Sequence, residues 1–246
     1  MTLVPQSAPK SWVQFIRGER EHFSDFDSNR VGFAGANVLR YYDFLIAILG
    51  RHERASRGFL ESFERVKRAM ELNDPVATNR ELDRLWPGHN EAMMTLQLEI
   101  ESFYLFAKLF LDKIALFIQL YFGQVRKLPL HSHSDLQKNL ETFAAQNKIE
   151  LAPGWKAMLD GLEEHIVHFR DKQITHDKNL RAMRGISVTS DGATTMRIGH
   201  LYPLPTDKGL ASTNLADLMH RIDGYVDFVV ALVEANRDRS RLNRKS

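Results

Sequence analysis

Apolar residues in this chain recur with the period of an α-helix, and that pattern limits the fold before any motif is weighed. Phe59, Phe63, Val66 and Met70 are spaced by four, three and four residues, which lines them along one helical face. A preceding helix is expected over about 30–50, with Val38, Leu39, Tyr42, Leu45, Ile46 and Leu49 inward and Gly50 bending the chain after it. Asn73-Asp74-Pro75 should stop the helix that carries Phe59, and Trp86-Pro87-Gly88 should break the next one. From Asn90 to Phe122 the pattern stays helical and carries a run of aromatic residues, as the central helix of a bundle would. Leu128-Pro129 ends that element. Ser134-Asp-Leu-Gln137 has capping-box spacing for a helix up to about Asn147.

One segment departs from this period. Ile186 to Ile198 alternates as a β-hairpin around Asp191-Gly192. A three-residue loop, Ser190–Gly192, would pair Ile186 with Met196 and Val188 with Thr194, gathering the apolar positions on one face. A last helix starts at Ser212–Asn214, with Leu215, Leu218, Met219, Ile222, Tyr225, Val226, Val229 and Val233 facing the core. The expected fold class is therefore mainly α, a helical bundle with one inserted β-hairpin near 185–200. A chain of 246 residues with 43% apolar content is read as one domain, 11–237, between two frayed ends, a flexible N-terminal tail, 1–10, and a mobile basic C-terminal tail, 238–246.

Charge and special residues exclude several functions. With no cysteine there is no disulfide, thiolate nucleophile or Cys-ligated metal. Phe103–Gly123 is long enough for a membrane span, but Lys108, Asp112 and Lys113 in its middle argue for a buried helix and no membrane partner. Pro5 and Pro9 interrupt any apolar leader, which reads as a cytoplasmic protein. The ten histidines invite a metal, yet His131-Ser-His133 lies in an expected loop and Glu19-Arg-Glu-His22 stands alone. No phosphate-binding or dinucleotide loop is present either, so no cofactor or metal is expected.

The helix expected over 153–177 carries the candidate site. At about 100° per residue, Trp155, Leu159, Leu162, Ile166 and Phe169 share one face, and Arg170, Gln173 and Asp177 continue it, with His176 on its flank. A core face thus turns polar. Either Arg170, Gln173 and Asp177 form a satisfied network inside the bundle of a non-catalytic interaction module, or the helix end lines a cleft or a subunit interface where these groups meet a ligand.

Phe169-Arg170-Asp171-Lys-Gln-Ile-Thr-His176 resembles the Arg-x(4–6)-His signature of the HEPN superfamily, all-α proteins of RNA-cleaving toxins and phage-defence systems. The resemblance implies a homodimer that binds RNA and cuts it without a metal, with Arg170 and His176 as the catalytic pair, Asp171 as polar companion, and an antitoxin as partner. Histidine titrates near neutrality and can move the protons, while a fixed guanidinium stabilises charge on the phosphate.

A formal net charge of +2 cannot hold nucleic acid by itself. Arg237, Arg239, Arg241, Arg244 and Lys245 make the C-terminal tail the expected source of general attraction. The stripe of Arg51, Arg54, Glu61, Arg65 and Arg68 is read first as a solvated face, with phosphate contact in reserve.

Overall fold

A computed structural model of the 246-residue chain describes residues 10–72, 74–171, 184–190, 194–203 and 210–245. The chain is mainly α-helical. Its helices are α1 (Lys10–His22), α2 (Arg30–Met70), α3 (Pro75–Phe122), α4 (His133–Asn147), α5 (Trp155–Leu162) and α6 (Leu215–Ala235). A π-helical stretch, Glu163–His168, continues α5, and a 3-10 turn, Arg237–Arg239, follows α6.

Helices α2 and α3 are longer than the sequence suggests, because two expected breaks are absent. The helix passes through Gly50 unbroken, and what reads as two helices is the single α2. It passes equally through Trp86-Pro87-Gly88, so the short helix to Leu85 and the one from Asn90 are both α3. Tertiary packing overrides the local preference in each case. Leu45 and Ile48 before Gly50, and Phe59 and Val66 after it, are all buried. Pro87 lies on the exposed side, where water can serve the carbonyl that its missing N–H leaves unpaired. The expected stop at 73–75 does form: Asp74 caps α3 by accepting a hydrogen bond from the Val76 N–H at 2.9 Å, with Pro75 in the first turn.

The two helices make an antiparallel hairpin. Tyr41 and Phe44 meet Phe106, Arg51 meets Glu99, and Ser62 meets His89. Its base belongs to the bundle, where Trp12, Phe15, Tyr42, Phe103, Phe110, Phe117, Tyr121 and Phe122 form the aromatic centre of the main core. Beyond Leu49 and Ile100 that core takes no further residue from either helix. There they pack on each other around Phe59 and Leu96, as an arm of about 33 Å.

Helix α4 starts one cap earlier than expected. Ser132 and Asp135 form the capping box, each side chain bonded to the other's backbone N–H at 3.1 Å, and His133 is a buried first-turn residue and not a loop residue. Every core position expected of α6 is buried.

The β region is a three-stranded antiparallel sheet, β1 (Arg184–Ser190), β2 (Thr194–Pro203) and β3 (Leu210–Thr213), in the order β1-β2-β3. Three residues still separate the paired ends, but the register differs from the expected one: Ile186 pairs with Ile198 and Val188 with Met196. Apolar positions thereby oppose one another instead of Val188 facing Thr194.

The C-terminal residues are docked and not frayed, which corrects the reading of 238–246 as a mobile tail. Arg237 Nε donates to Glu19 at 2.8 Å, the Arg241 N–H donates to the Tyr121 carbonyl at 3.0 Å, and Leu242 is buried. Lys245 N–H reaches the His22 carbonyl at 2.9 Å, and Arg244 bridges to Phe23. Gly123, which ends α3 at φ 98°, leaves room for the Arg241 side chain where a Cβ would collide with it.

Candidate functional site

The polypeptide reaches the candidate motif through α5. Gly154, at φ 85°, turns the chain into the helix, and Pro153 lies outside it, not in its first turn. Trp155 stacks on Phe228 with centroids 4.5 Å apart, and Leu159 and Leu162 are buried. Polar contacts fix α5 against α4: Gln137 donates to Asp160 at 2.8 Å, Ser134 donates to Glu163 at 2.8 Å, and His133 Nε2 lies 3.3 Å from the Leu159 carbonyl. Burial lowers the His133 pKa to about 4, with Lys108 adding to the effect and the Leu159 carbonyl opposing it. The His133 ring is therefore neutral and donates to that carbonyl.

From Glu163 the helix is π, not α. Hydrogen bonds from i to i+5 widen the turn and shift the phase of every later side chain. The α-helical projection that continues the core face through Arg170 fails here for that reason. Ile166, Val167 and Phe169 take the buried positions, and Phe169 stacks on Tyr104 with centroids 4.1 Å apart. Arg170 is partly buried. Its side chain is 29% exposed and donates from Nη1 to Asp171 Oδ1 at 2.6 Å, while Asp171 is 41% exposed. Arg170 and Asp171 are thus brought together. Gln173, His176 and Asp177 lie outside the described residues.

Residues that the motif does not contain share this end of the bundle. His165, half-buried on the π-helix, has its pKa lowered by burial first and then by Arg221 of α6, with Glu164 pulling the other way. Helices α5 and α6 run antiparallel, since Trp155 meets Phe228 and Tyr225 while His165 meets Arg221. Arg170 and Asp171 therefore point along the bundle toward the N-terminal end of α6. Sequence reasoning missed His165 and Arg221. Their spacing gives no signal, because they lie on different helices and Arg221 sits between the core residues Leu218 and Ile222 as an ordinary exposed charge.

The histidine pairs considered for a metal have other uses. Glu19 is fully buried, accepting from Tyr121 at 2.5 Å and from Arg237, and His133 is packed beside Tyr225. Among the described residues no group of three or more His, Asp and Glu is placed to hold a metal, and no helix is long and apolar enough to cross a membrane.

Fold and site together define a mainly α-helical protein with a π-helical stretch before Arg170 and a projecting two-helix arm. Comparison with protein-family models, with curated proteins and with solved structures gives no match. The likeness of Phe169–His176 to the HEPN signature accordingly rests on those residues alone.

Proposed function

We propose that this chain is a HEPN-like RNA-binding protein of a toxin or phage-defence type, a metal-independent endoribonuclease that acts as a homodimer. The observation that carries the reading is the position of Arg170. Its side chain, 29% exposed, follows the π-helical stretch and bonds its sequence neighbour Asp171 within reach of solvent. π-helical turns are concentrated at functional sites. A phosphate arriving at this end would compete with Asp171 for the planar donors of Arg170, and the bidentate geometry of guanidinium suits it. His176 supplies proton transfer in this reading, and Asp171, Gln173 and Asp177 contact the substrate. An antitoxin is the expected protein partner, and the cytoplasm the expected location.

Incubation of mixed RNAs with the purified protein in EDTA tests the activity. Cleavage by wild type, with loss in His176→Ala and in Arg170→Ala, is the expected result. Intact RNA with wild type, or equal cleavage by His176→Ala, overturns the catalytic reading.

A non-catalytic interaction module is the second reading, and one observation favours it. The outer face of α3 exposes Met94 and Leu98 on the arm and Leu105 in line with them on the bundle. Failure of wild type to bind RNA at low salt would select it.

A further inference from the structure

The arm has two chemically different edges. Helix α2 turns Phe59, Val66 and Ala69 toward α3, and on its opposite side Arg54, Arg57, Gly58, Glu61, Arg65 and Arg68 are exposed. At about 100° per residue, these six positions fall within roughly 60° of one another's mean direction, so they form one edge. Over residues 51–70 α2 carries six cations against three carboxylates. The facing segment of α3, 75–101, carries two cations against five carboxylates. Charge is therefore segregated across the arm, basic on one edge and acidic on the other.

The cations of this edge are not used by the fold. Most other cationic contacts are internal: Arg51 is held by both carboxylate oxygens of Glu99 at 2.9 and 3.0 Å, Arg84 by Glu81, and Arg20 by Asp27. Of the C-terminal cations, which the sequence nominates for general attraction, all but Arg244 are committed, Arg241 to the Phe122 carbonyl. Arg237 serves Glu19 and Glu234, Arg239 serves Asp238, and the Lys245 ammonium serves the Arg20 carbonyl. In contrast, Arg54, Arg57, Arg65 and Arg68 make no hydrogen bond or ion pair with any described residue. Glu61 lies four residues from both Arg57 and Arg65, the spacing of a helical ion pair, and pairs with neither. A face that was merely solvated would alternate its signs. Four arginines with a single carboxylate among them present guanidinium groups suited to phosphate oxygens.

Arg54 and Arg65 are eleven residues apart, as are Arg57 and Arg68, which is three turns and about 16 Å. The edge thus offers two arginine pairs in line along a continuous helix, a track that matches an extended polyanion better than a single phosphate.

We propose that the outer edge of α2, through Arg54, Arg57, Arg65 and Arg68, binds the phosphate backbone of RNA. This rests on the reading of the chain as an RNA-binding protein. The edge supplies sequence-independent affinity, and the Arg170 end supplies the chemistry.

Salt dependence measures it. Each phosphate contact on a single strand contributes a slope of about 0.7 in log affinity against log salt. Removing two of the four contacts lowers the slope by about 1.4 and weakens binding about 25-fold near 0.1 M salt, with the curves converging toward 1 M. Fluorescence anisotropy of a labelled single-stranded RNA is read across a KCl series for wild type, Arg54→Ala/Arg65→Ala and the control Arg80→Ala on the α3 edge. All three positions are exposed, so melting temperature and helical circular dichroism should match wild type. The double variant should show the reduced slope, and Arg80→Ala should not. A double variant with wild-type affinity and slope overturns the track while leaving RNA binding intact. Wild type that binds anionic phospholipid vesicles but no RNA overturns the RNA reading itself.

Discussion

Arg237→Ala should destabilise the whole bundle, although Arg237 lies in a segment that composition marks as a loose basic end. Glu19 is 0% exposed and has two donors, the Tyr121 hydroxyl on one oxygen and Arg237 Nε on the other. Burial and the bond to Glu19 push the Tyr121 phenol well above its ordinary value, so it remains a donor at any working pH. Truncating Arg237 leaves a buried carboxylate with half its hydrogen bonding and no cation. Breaking a buried pair from one side costs about 3–5 kcal/mol. The side chain of Arg237 is one-third exposed, so water can partly replace it and the lower end, about 3 kcal/mol, applies. For a chain of this length that is a fall in melting temperature of about 6–12 °C. Calorimetry of wild type, Arg237→Ala and Glu19→Gln/Arg237→Ala reads it. The glutamine should recover more than half of the loss, because it removes the stranded charge and keeps the shape. A melting temperature within about 1 °C of wild type for Arg237→Ala would refute the reasoning. Loss without recovery in the double variant would place the effect in packing of the C-terminal segment and not in the carboxylate.

Two further outcomes follow from buried groups and from the arm. His133 and His52 are both lowered to about 4, chiefly by burial, with Glu99 opposing the shift at His52. Below the ordinary value of 6.5 the unfolded chain takes up protons that the folded chain refuses until about 4, so stability falls as pH drops through that window. The loss is about 3 kcal/mol for His133 and less for His52, which is not fully buried. Denaturant titrations at pH ~7 and ~4.5 should show it, and His133→Gln should flatten the difference; a wild type equally stable at both would count against buried neutral rings. Gly50→Ala should raise stability by about 0.5–1 kcal/mol, since a Cβ there meets only Arg54 Nη1, at 3.9 Å, and α2 is already continuous through it. Destabilisation by this change would mean that α2 is held bent at Gly50.

The helical period carried most of the bundle into view. Where apolar residues recur over many turns, as in α6 and in Phe103–Phe122, burial follows the pattern residue by residue. Punctuation was less reliable. Gly50 and Pro87 are breakers by intrinsic preference, worth about 1 and 3 kcal/mol; buried residues on both sides of Gly50 outweigh that, and Pro87 is carried at an exposed position of α3. The docked C-terminal segment was hidden for a different reason. Five cations in its last ten residues dominate the composition, whereas the residues that anchor it, Asn236 and Leu242, are unremarkable in sequence; Asn236 bonds both to the Glu150 N–H at 2.7 Å and to the Glu150 carbonyl at 3.0 Å. The phase shift at Glu163 has no sequence signature of this kind. Both the α and the π reading bury Ile166 and Phe169, and they part at Val167, which is buried, and at Arg170, which is only partly so.

The two missing breaks have a functional consequence. Had α3 ended at Pro87, the arm's tip would pivot on a loop, and the arginines of α2 would have no fixed distance from Arg170. Because α2 and α3 are each one helix from the bundle to the Met70–Asp74 turn, Arg54, Arg57, Arg65 and Arg68 are held in line at set heights above the core. The Phe59–Leu96 cluster and the Arg51–Glu99 pair lock the two helices together at the point where the main core ends. A flexible basic tail would add attraction without direction. A rigid basic edge adds register: under the proposed RNA-cleaving function a strand bound along it would meet the Arg170 end at a distance fixed by helix length, and lengthening α2 and α3 together by two turns would then shift the position of cleavage along the RNA instead of its rate.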